Sequence, residues 1–207
     1  MTTILLVRHA EVAAPKDILL GRNDEVGLSR RGRGCAATLA ERLGRLPISA
    51  IWSSPLKRAL RTARPIAERL SLSVQIAHSL TEIDYGRWTG RRFAELEDDP
   101  DWQSYNRTRS AAQIPEGEKI EAVERRVVTL LQTWAEGYPS KLIAAVTHAE
   151  IIRIAILHSI GVSTDRYDQI EISLCSLSAL AFERMRPRVI CLNASAELEC
   201  FLTGLVL

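Results

Sequence analysis

Short, continuously apolar runs alternate along the chain with longer stretches whose apolar residues recur at helical spacing. The apolar runs predict strands at 3–7, 49–53, 72–77 and 142–146, and the helical spacing predicts helices at 30–43, 56–70, 118–136 and 149–160. Three more runs, at 169–173, 177–183 and 188–193, predict closing strands. Because strand and helix alternate, we expect an α/β fold, a three-layer αβα sandwich with a mainly parallel central sheet.

Local signals mark the ends of several predicted helices. Ser29 is a typical N-cap residue, and Gly44 and Gly161 follow the last apolar positions of two helices. Pro65 lies inside the second predicted helix, where it is expected to bend the helix or to separate two turns. Between residues 81 and 116 turn residues and charges break the pattern, which predicts an irregular region with two short helices.

The chain length of 207 residues is enough for one substantial core. We therefore expect a single domain over residues 1–207, with a small inserted cap region at roughly 84–117. The apolar stretch 142–162 has nearly the length of a membrane span, but His148, Glu150 and Arg153 interrupt it. This stretch is therefore interpreted as a buried strand followed by a helix.

Composition narrows the classes of partner. A net charge of +2 gives no global field that would attract nucleic acid or an anionic membrane, and no basic run with interleaved aromatics is present. The amino terminus lacks the basic lead and long apolar region of a signal peptide. The four cysteines form no CxxC pair, which favours reduced thiols over a disulfide framework. We expect a cytoplasmic protein with no nucleic-acid or membrane partner, and leave a homodimer open.

Four segments carry side chains suited to phosphate chemistry. Arg8 and His9 directly follow the first predicted strand. Arg58 lies in the first turn of a predicted helix, where free backbone N–H groups favour anions. Glu82 precedes aromatic residues and glycines, and a carboxylate covered by aromatic rings could act as a general acid with a raised pKa. His148 directly follows another buried strand and opens a helix.

Each signal alone has an ordinary explanation, such as an exposed loop histidine, a solvated arginine or a satisfied core histidine. Their combination is more specific, because the carboxyl ends of parallel strands meet at one edge of a sheet. Phosphoryl transfer needs a nucleophile, positive charge on the phosphoryl oxygens and a proton source for the leaving oxygen. The four segments supply all three.

In these segments the sequence resembles the histidine phosphatase superfamily, in its phosphoglycerate mutase-like branch. The family's Arg-His-Gly motif corresponds to Arg8-His9-Ala10, and its Ser-x-Leu-x-Arg-Ala-x-x-Thr-Ala segment to residues 54–63. The family's Glu before Gly-x-Trp-x-Gly corresponds to Glu82 and residues 86–90, and its second His to His148. Segments 21–24, 28–29 and 115–118 also look like family landmarks. The resemblance runs from about residue 3 to residue 195.

This resemblance implies a role for each matched residue. His9 would form a covalent phosphohistidine, and Glu82 would protonate the leaving alkoxide and then activate water. His148, preferably as an imidazolium, would complete the catalytic set and would neutralise the phosphoryl oxygens with Arg8 and Arg58. Further phosphate or substrate contacts are expected from a second group, namely Gly21, Arg22 and Ala149. No metal and no other cofactor is implied, because the arginines supply the positive charge.

Two departures from the family pattern affect the expectation. Ala10 replaces the usual Gly, so the backbone must accept a Cβ there, and Glu150 brings a carboxylate close to the expected site. The cap is expected to select the substrate through residues 88–113. The roles of four of its charged and aromatic residues are open, namely Arg91, Arg92, Trp102 and Arg107. The role of Glu150 is open as well.

The function that follows is a phosphatase, a phosphoric monoester hydrolase acting on a small phosphorylated metabolite. A cofactor-dependent phosphoglycerate mutase is the first alternative. Such mutases resemble this chain but carry a longer insertion after the Glu motif, and the short segment 91–113 favours an open, hydrolytic pocket. A catalytically silent phosphate-binding module is the second alternative. Sugar phosphates, fructose 2,6-bisphosphate, α-ribazole phosphate and phosphohistidine proteins all remain open as substrates.

Overall fold

The computed structural model describes residues 1–183 and 186–194. Within these ranges six strands form one sheet in the order β3-β2-β4-β1-β5-β6. The strands are β1 (Thr2–Arg8), β2 (Ile48–Ser53), β3 (Val74–Ile76), β4 (Leu142–Thr147), β5 (Leu177–Glu183) and β6 (Arg186–Ala194). The four strands from β3 to β1 run parallel, whereas β5 and β6 are antiparallel additions at one side. The predicted, mainly parallel sheet is confirmed.

Six α-helices connect the strands of the described residues. They are α1 (Arg30–Leu43), α2 (Lys57–Leu70), α3 (Phe93–Leu96), α4 (Pro100–Arg107), α5 (Ile120–Gly137) and α6 (Ala149–Ser159). Short 3₁₀ helices occupy His78–Leu80, Gly86–Trp88 and Thr164–Gln169. The predicted N-cap is present, since Ser29 Oγ accepts a hydrogen bond of 2.9 Å from Gly32 N. Pro65 lies within a single helix and does not divide it.

The strand predicted at 169–173 is wrong. Ile170 and Ile172 are buried, as the apolar pattern required, but residues 170–173 have no regular secondary structure. Their carbonyl groups accept hydrogen bonds from side chains: the Ile170 carbonyl from Arg153 Nε at 2.8 Å, and the Ile172 carbonyl from Arg8 Nη1 at 2.5 Å. Because these arginines occupy the acceptors that a strand would offer to a neighbour, the segment serves as an anchor for side chains.

Two cores flank the sheet and explain why β1 is apolar throughout. Ile4 and Leu6 belong to a core that also contains residues of α5 and α6. Leu5 and Val7 point the other way, into a core with residues of α1 and α2. Because both faces of the strand are covered, every position must be apolar. The expected three-layer sandwich is confirmed.

The register of the parallel strands aligns their carboxyl ends. Arg8 of β1 pairs with Thr147 of β4, and Ser53 of β2 pairs with Val146 of β4 and with Ile76 of β3. Segments that leave these four strands therefore start at one edge of the sheet. This edge is where the sequence predicts the phosphate chemistry.

The apolar stretch 142–162 forms β4 and α6, the strand and helix that were predicted there. No helix within residues 1–183 and 186–194 is long and apolar enough to cross a bilayer. Cys35, Cys175 and Cys191 are free, and Cys200 lies outside the described residues.

Candidate active site

His9 lies at the carboxyl end of β1 and is 7% exposed. Its backbone N–H donates to Thr147 O at 2.9 Å, which fixes the main chain beside β4. The ring Nδ1 lies 2.9 Å from the Ala10 carbonyl oxygen, an acceptor, so Nδ1 carries the proton and Nε2 keeps a free lone pair. Burial and the nearby Arg58 guanidinium lower the pKa of His9 to about 3. The imidazole is therefore neutral and nucleophilic at physiological pH.

His148 and Arg58 lie directly beside His9. The rings of His9 and His148 have centroids 5.2 Å apart at an interplanar angle of 61°. Arg58 Nε donates to His148 Nδ1 at 3.3 Å, and the other ring nitrogen lies 2.8 Å from Ser54 Oγ. Since Nδ1 accepts, the ring proton is on Nε2, which donates to Ser54. The sequence analysis did not identify Ser54 as a hydrogen-bond partner of His148.

The charge of His148 differs from the sequence expectation. Burial lowers the pKa of this histidine well below its usual range, and the neighbouring Arg58 and His9 lower it further. The neutral ring is therefore favoured in the unliganded site, rather than the expected imidazolium. A dianionic phosphate placed against the ring would favour the protonated form.

Arg58 is 3% exposed and its guanidinium is held from several sides. Nη2 donates to Gly21 O at 2.6 Å and Nη1 donates to Asn23 O at 3.1 Å, which explains why segment 21–24 accompanies the motif in 54–63. Thr62 Oγ1, one turn later, donates to Arg58 O at 2.8 Å and accepts from Ala10 N at 2.9 Å. The start of α2 is thereby tied to the segment that carries His9.

Arg8 and Ala10 flank the histidine. Arg8 is anchored through Nη1 to the Ile172 carbonyl. The Ala10 side chain is fully buried in a small core with Leu28 and Ala36, so packing accommodates the Cβ that departs from the family pattern.

Glu82 follows the 3₁₀ helix His78–Leu80 and its carboxylate lies 4.0 Å from His148 Nδ1. Burial raises the pKa of the Glu82 carboxyl to about 7, with Glu150 raising it further and Arg58 opposing the shift. The side chain, 12% exposed, accepts a hydrogen bond of 3.0 Å from Ile83 N. A carboxyl group with this pKa can both donate and accept a proton near neutral pH.

Arg22 holds the segment that carries Glu82. Its Nε donates to the Glu82 carbonyl at 2.9 Å, Nη1 to Asp84 Oδ2 at 3.2 Å and Nη2 to Glu118 Oε2 at 2.9 Å. Arg126 also donates to Glu118, at 2.8 Å. All three guanidinium nitrogens of Arg22 therefore contact protein groups, and direct substrate binding by Arg22 stays a prediction.

Gly86 explains the association of the Glu82 segment with residues 115–118. Its φ of +47° is a left-handed conformation, and a Cβ at this position would lie 2.0 Å from the Pro115 carbonyl oxygen. Only glycine permits this approach. The landmark at 115–118 thus supports the Glu82 segment from outside.

A cavity of about 470 Å³ opens at this site, and His148, which is fully buried, lies behind the residues that line it. Its floor includes the following residues: Arg8, His9, Gly21, Arg58, Glu82 and Ala149. Its outer wall includes a second set: Val12, Ile18, Tyr85, Phe93, Arg153 and Leu174. Across the described residues, no group of three or more His, Cys, Asp or Glu side chains is placed to hold a metal ion.

The four residues singled out between 88 and 113 do not line the cavity, and most of them have partners within the protein. Arg91 pairs with Glu95 and Asp99, Arg92 pairs with Asp17, and Trp102 packs against Trp88 at 5.2 Å between ring centroids. Arg107 is exposed. Phe93, which was not singled out, lines the cavity, as does Tyr85, one of the aromatic residues expected to cover the Glu82 carboxylate.

Glu150 lines the cavity and is paired with two arginines. It forms an ion pair with Arg153 one turn later in α6, and another with Arg109, which follows α4. Burial alone would raise the pKa of the Glu150 carboxyl, but Arg109 and Arg153 outweigh burial and lower it. Glu150 is therefore a charged residue, and Arg109 is a partner that sequence reasoning missed.

Fold and site together describe an α/β sandwich with a basic, histidine-containing cavity at the carboxyl edge of its sheet. A profile of the histidine phosphatase superfamily (branch 1) matches residues 4–195, so the chain belongs to this superfamily.

Named relatives agree with this membership. The chain is 30% identical over 204 residues to phosphoserine phosphatase 1 of Hydrogenobacter thermophilus, covering 97% of this chain and 96% of that protein. It is 28% identical over 162 residues to adenosylcobalamin/alpha-ribazole phosphatase of Escherichia coli, covering 77% of this chain and 80% of that protein. A solved structure of a mutant phosphoserine phosphatase from Entamoeba histolytica, in complex with phosphoserine, aligns with a TM-score of 0.86 at 25% identity. That alignment covers 96% of this chain and 100% of the other.

These relatives confirm the predicted class of function, a phosphoric monoester hydrolase that acts on a small phosphorylated metabolite.

Proposed function

We propose that the protein hydrolyses its substrate in two steps, with His9 as the residue that carries the phosphoryl group. The His9 Nε2 lone pair attacks phosphorus while the bond between phosphorus and the leaving oxygen breaks. The observation that carries this proposal is the hydrogen bond from Nδ1 to the Ala10 carbonyl, because it leaves Nε2 unprotonated in a cavity lined by arginines.

The arginines line the cavity where they can stabilise the transferred group, and His148 is proposed to join them because its ring lies 5.2 Å from the His9 ring. Arg8 and Arg58 line the cavity beside His9, and charge develops on the equatorial phosphoryl oxygens during transfer. Ala149 also lines the cavity at the first turn of α6, where backbone N–H groups favour an anion. We assign phosphate binding to these residues.

Glu82 donates a proton in the first step and accepts one in the second. In the first step its carboxyl proton moves to the departing alkoxide. In the second step Glu82 takes a proton from water, the water oxygen attacks phosphorus, and the electron pair of the broken N–P bond returns to His9. A carboxyl pKa of about 7 suits both roles.

Residues 84–117 are proposed to act as a cap within a single domain, because Tyr85 and Phe93 line the cavity. Phosphoserine is a reasonable first substrate, since two of the relatives are named for its hydrolysis. A homodimer and a cytoplasmic location stay predictions.

The test is a hydrolysis screen over a panel of phosphorylated metabolites that includes phosphoserine, α-ribazole phosphate and sugar phosphates. Wild type is compared with His9→Ala and with the control His158→Ala, which changes a histidine far along α6 that pairs with Glu124. Radiolabelled substrate should give an acid-labile phosphoprotein in wild type and in the control, but not in His9→Ala. Unchanged hydrolysis in His9→Ala would refute the mechanism.

The same assay separates a mutase from a phosphatase. A mutase would interconvert phosphoglycerates and depend on 2,3-bisphosphoglycerate, whereas the proposed phosphatase releases inorganic phosphate without it.

A further inference from the structure

Arg153 is a cation of the cavity that the proposed chemistry does not use. It lies on α6, one turn after Ala149, and its side chain is 20% exposed. Nε donates to the Ile170 carbonyl at 2.8 Å, and Nη1 pairs with Glu150. These two contacts orient the guanidinium, and the residue lines the cavity that holds His9. Such an oriented guanidinium fits the geometry of a carboxylate.

Glu150 alone would cancel the charge of Arg153, but a third residue restores it. Arg109 pairs with the other carboxylate oxygen of Glu150 and is 6% exposed. The row Arg109–Glu150–Arg153 therefore contains two positive charges and one negative charge. Because Arg109 is buried and Arg153 lines the cavity, the net positive charge faces the cavity through Arg153.

The burial of Arg109 is supported by aromatic rings. Its guanidinium carbon lies 3.0 Å from the Tyr167 ring centroid and 4.6 Å from the Tyr105 centroid. Contacts of this kind stabilise a guanidinium away from water. This buried guanidinium neutralises the Glu150 carboxylate from behind. Glu150 therefore does not repel an anionic substrate and instead links Arg109 to Arg153.

Lys16, another cation that lines the cavity, lacks this construction. Its side chain is 86% exposed and its ammonium lies 4.0 Å from Glu11. Arg153 is therefore the better placed cation for recognising a second anionic group.

We propose that Arg153, with its charge freed by Arg109, binds a carboxylate on the leaving group, so that the preferred substrates are phosphomonoesters of hydroxy acids. This inference rests on the proposed function. Arg153 determines specificity by contacting substrate, whereas Arg109 is a positioning residue that acts through Glu150.

The test uses pairs of substrates that differ only at the carboxylate. Phosphoserine is compared with phosphoethanolamine, and 3-phosphoglycerate with glycerol 3-phosphate. Wild type should favour the carboxylate member of each pair by about tenfold or more in kcat/KM, the size of one charge-assisted contact. The difference should appear mainly in KM, because the carboxylate does not react.

Three variants then locate the recognition. Arg153→Met should reduce the preference to about onefold. Arg109→Met should also reduce it, because Glu150 then cancels the charge of Arg153, and the double variant R109M/E150Q should restore it. Arg125→Met, which changes an exposed arginine of α5, is the matched control and should keep the wild-type preference.

Several outcomes would overturn the inference. These are equal hydrolysis of both members of each pair by wild type, an equal loss on both members in Arg153→Met, and no return of preference in the double variant. If Arg109→Met does not fold, the Arg153 comparison decides alone. His9-dependent hydrolysis without a carboxylate preference would leave the proposed function standing, whereas absence of His9-dependent hydrolysis on the whole panel would refute that function instead.

Discussion

The floor and the outer wall of the cavity are built in different ways. Apart from Gly21, the floor groups come from segments at the aligned ends of neighbouring strands, and two of them are nearly closed off, with Arg58 at 3% and His9 at 7% exposure. Apart from Arg153 on α6, the wall comes from loops and short helices, and two of its apolar residues, Phe93 and Leu174, are 38% and 39% exposed. The floor is therefore suited to the phosphoryl group that all phosphate esters share, whereas the wall is suited to the part of the substrate that varies.

This difference has an energetic side. In the buried floor, loss of hydration shifts pKa values strongly and neighbouring charges add to or oppose that shift, as the pKa values of His9 and Glu82 show, at about 3 and about 7. On the exposed wall, solvent screens charges, and a bound group covers only part of each apolar side chain. Substitutions in the floor should therefore alter activity by orders of magnitude on every substrate, whereas substitutions of the apolar wall residues should act by small factors that depend on the leaving group.

Arg58→Met should give the largest loss. Removing this guanidinium takes away positive charge beside the phosphoryl site and one hydrogen bond to His148, so kcat/KM should fall by about 10³-fold for all substrates. Arg58→Lys should recover little, because a single ammonium cannot replace the contacts to Gly21, Asn23 and His148 together. Arg64→Met on the same helix is exposed and serves as control. A loss below tenfold would remove Arg58 from the floor chemistry.

Glu82→Gln should come next and should depend on the leaving group. For alkyl phosphates kcat/KM should fall by about 10²- to 10³-fold, because the alkoxide needs a proton to depart. For p-nitrophenyl phosphate the loss should be much smaller, because that leaving group departs without one. In wild type the proton is lost above pH 7, so the alkyl rate should decline there and the variant should lose this limb. Equal losses on both substrates would contradict a general acid.

These two predictions concern residues that sequence reasoning could find. Arg8, His9 and His148 directly follow buried strands, and strand register then brings them together. Arg58 lies in the first turn of a helix, a position that favours anions but is also common for solvated arginines. Local pattern and topology therefore made these residues candidates, and the family resemblance supplied their proposed roles.

The remaining contacts depend on distant partners and have no local signal. Arg109 and Glu150 are 41 positions apart, and nothing in either neighbourhood indicates that they meet. Similarly, the strand predicted at 169–173 failed because the carbonyls of that segment accept from Arg8 and Arg153. Apolar spacing records burial but does not record which donor a backbone carbonyl receives.

The stability of Glu82→Gln should show how much the buried, ionised Glu82 carboxylate lowers the free energy of unfolding. Between pH 4.5 and about 7 the folded protein keeps a proton on Glu82 that the unfolded chain has lost, so this group lowers stability as pH rises through that window. Relative to wild type, the variant should therefore gain on the order of 2 kcal/mol more at pH 8 than at pH 5. Urea unfolding at both pH values measures this difference. Glu171→Gln, at an exposed position, should show no such difference, and an equal effect at both pH values would contradict the raised pKa.

Arg22→Met separates support of the floor from contact with substrate. If Arg22 only holds the Glu82 segment, kcat/KM should fall by about tenfold for alkyl phosphates and less for p-nitrophenyl phosphate, since only the former needs Glu82. The conservative Arg22→Lys should recover part of the activity. A loss of equal size on both substrates, expressed in KM, would instead support the substrate contact expected from the sequence.

Phe93→Ala should have the smallest effect and should depend most on the substrate. The ring is already partly exposed, so a bound leaving group covers only part of it, and KM should rise about two- to fivefold for leaving groups with an apolar face. For small polar leaving groups KM should not change, and kcat should stay the same for both, because the floor is untouched. Ile76→Ala, at a similarly exposed position of β3, is the control for a general effect of removing surface apolar area. A large fall in kcat would mean that the wall takes part in the chemistry, and the division between an invariant floor and a selective wall would then be wrong.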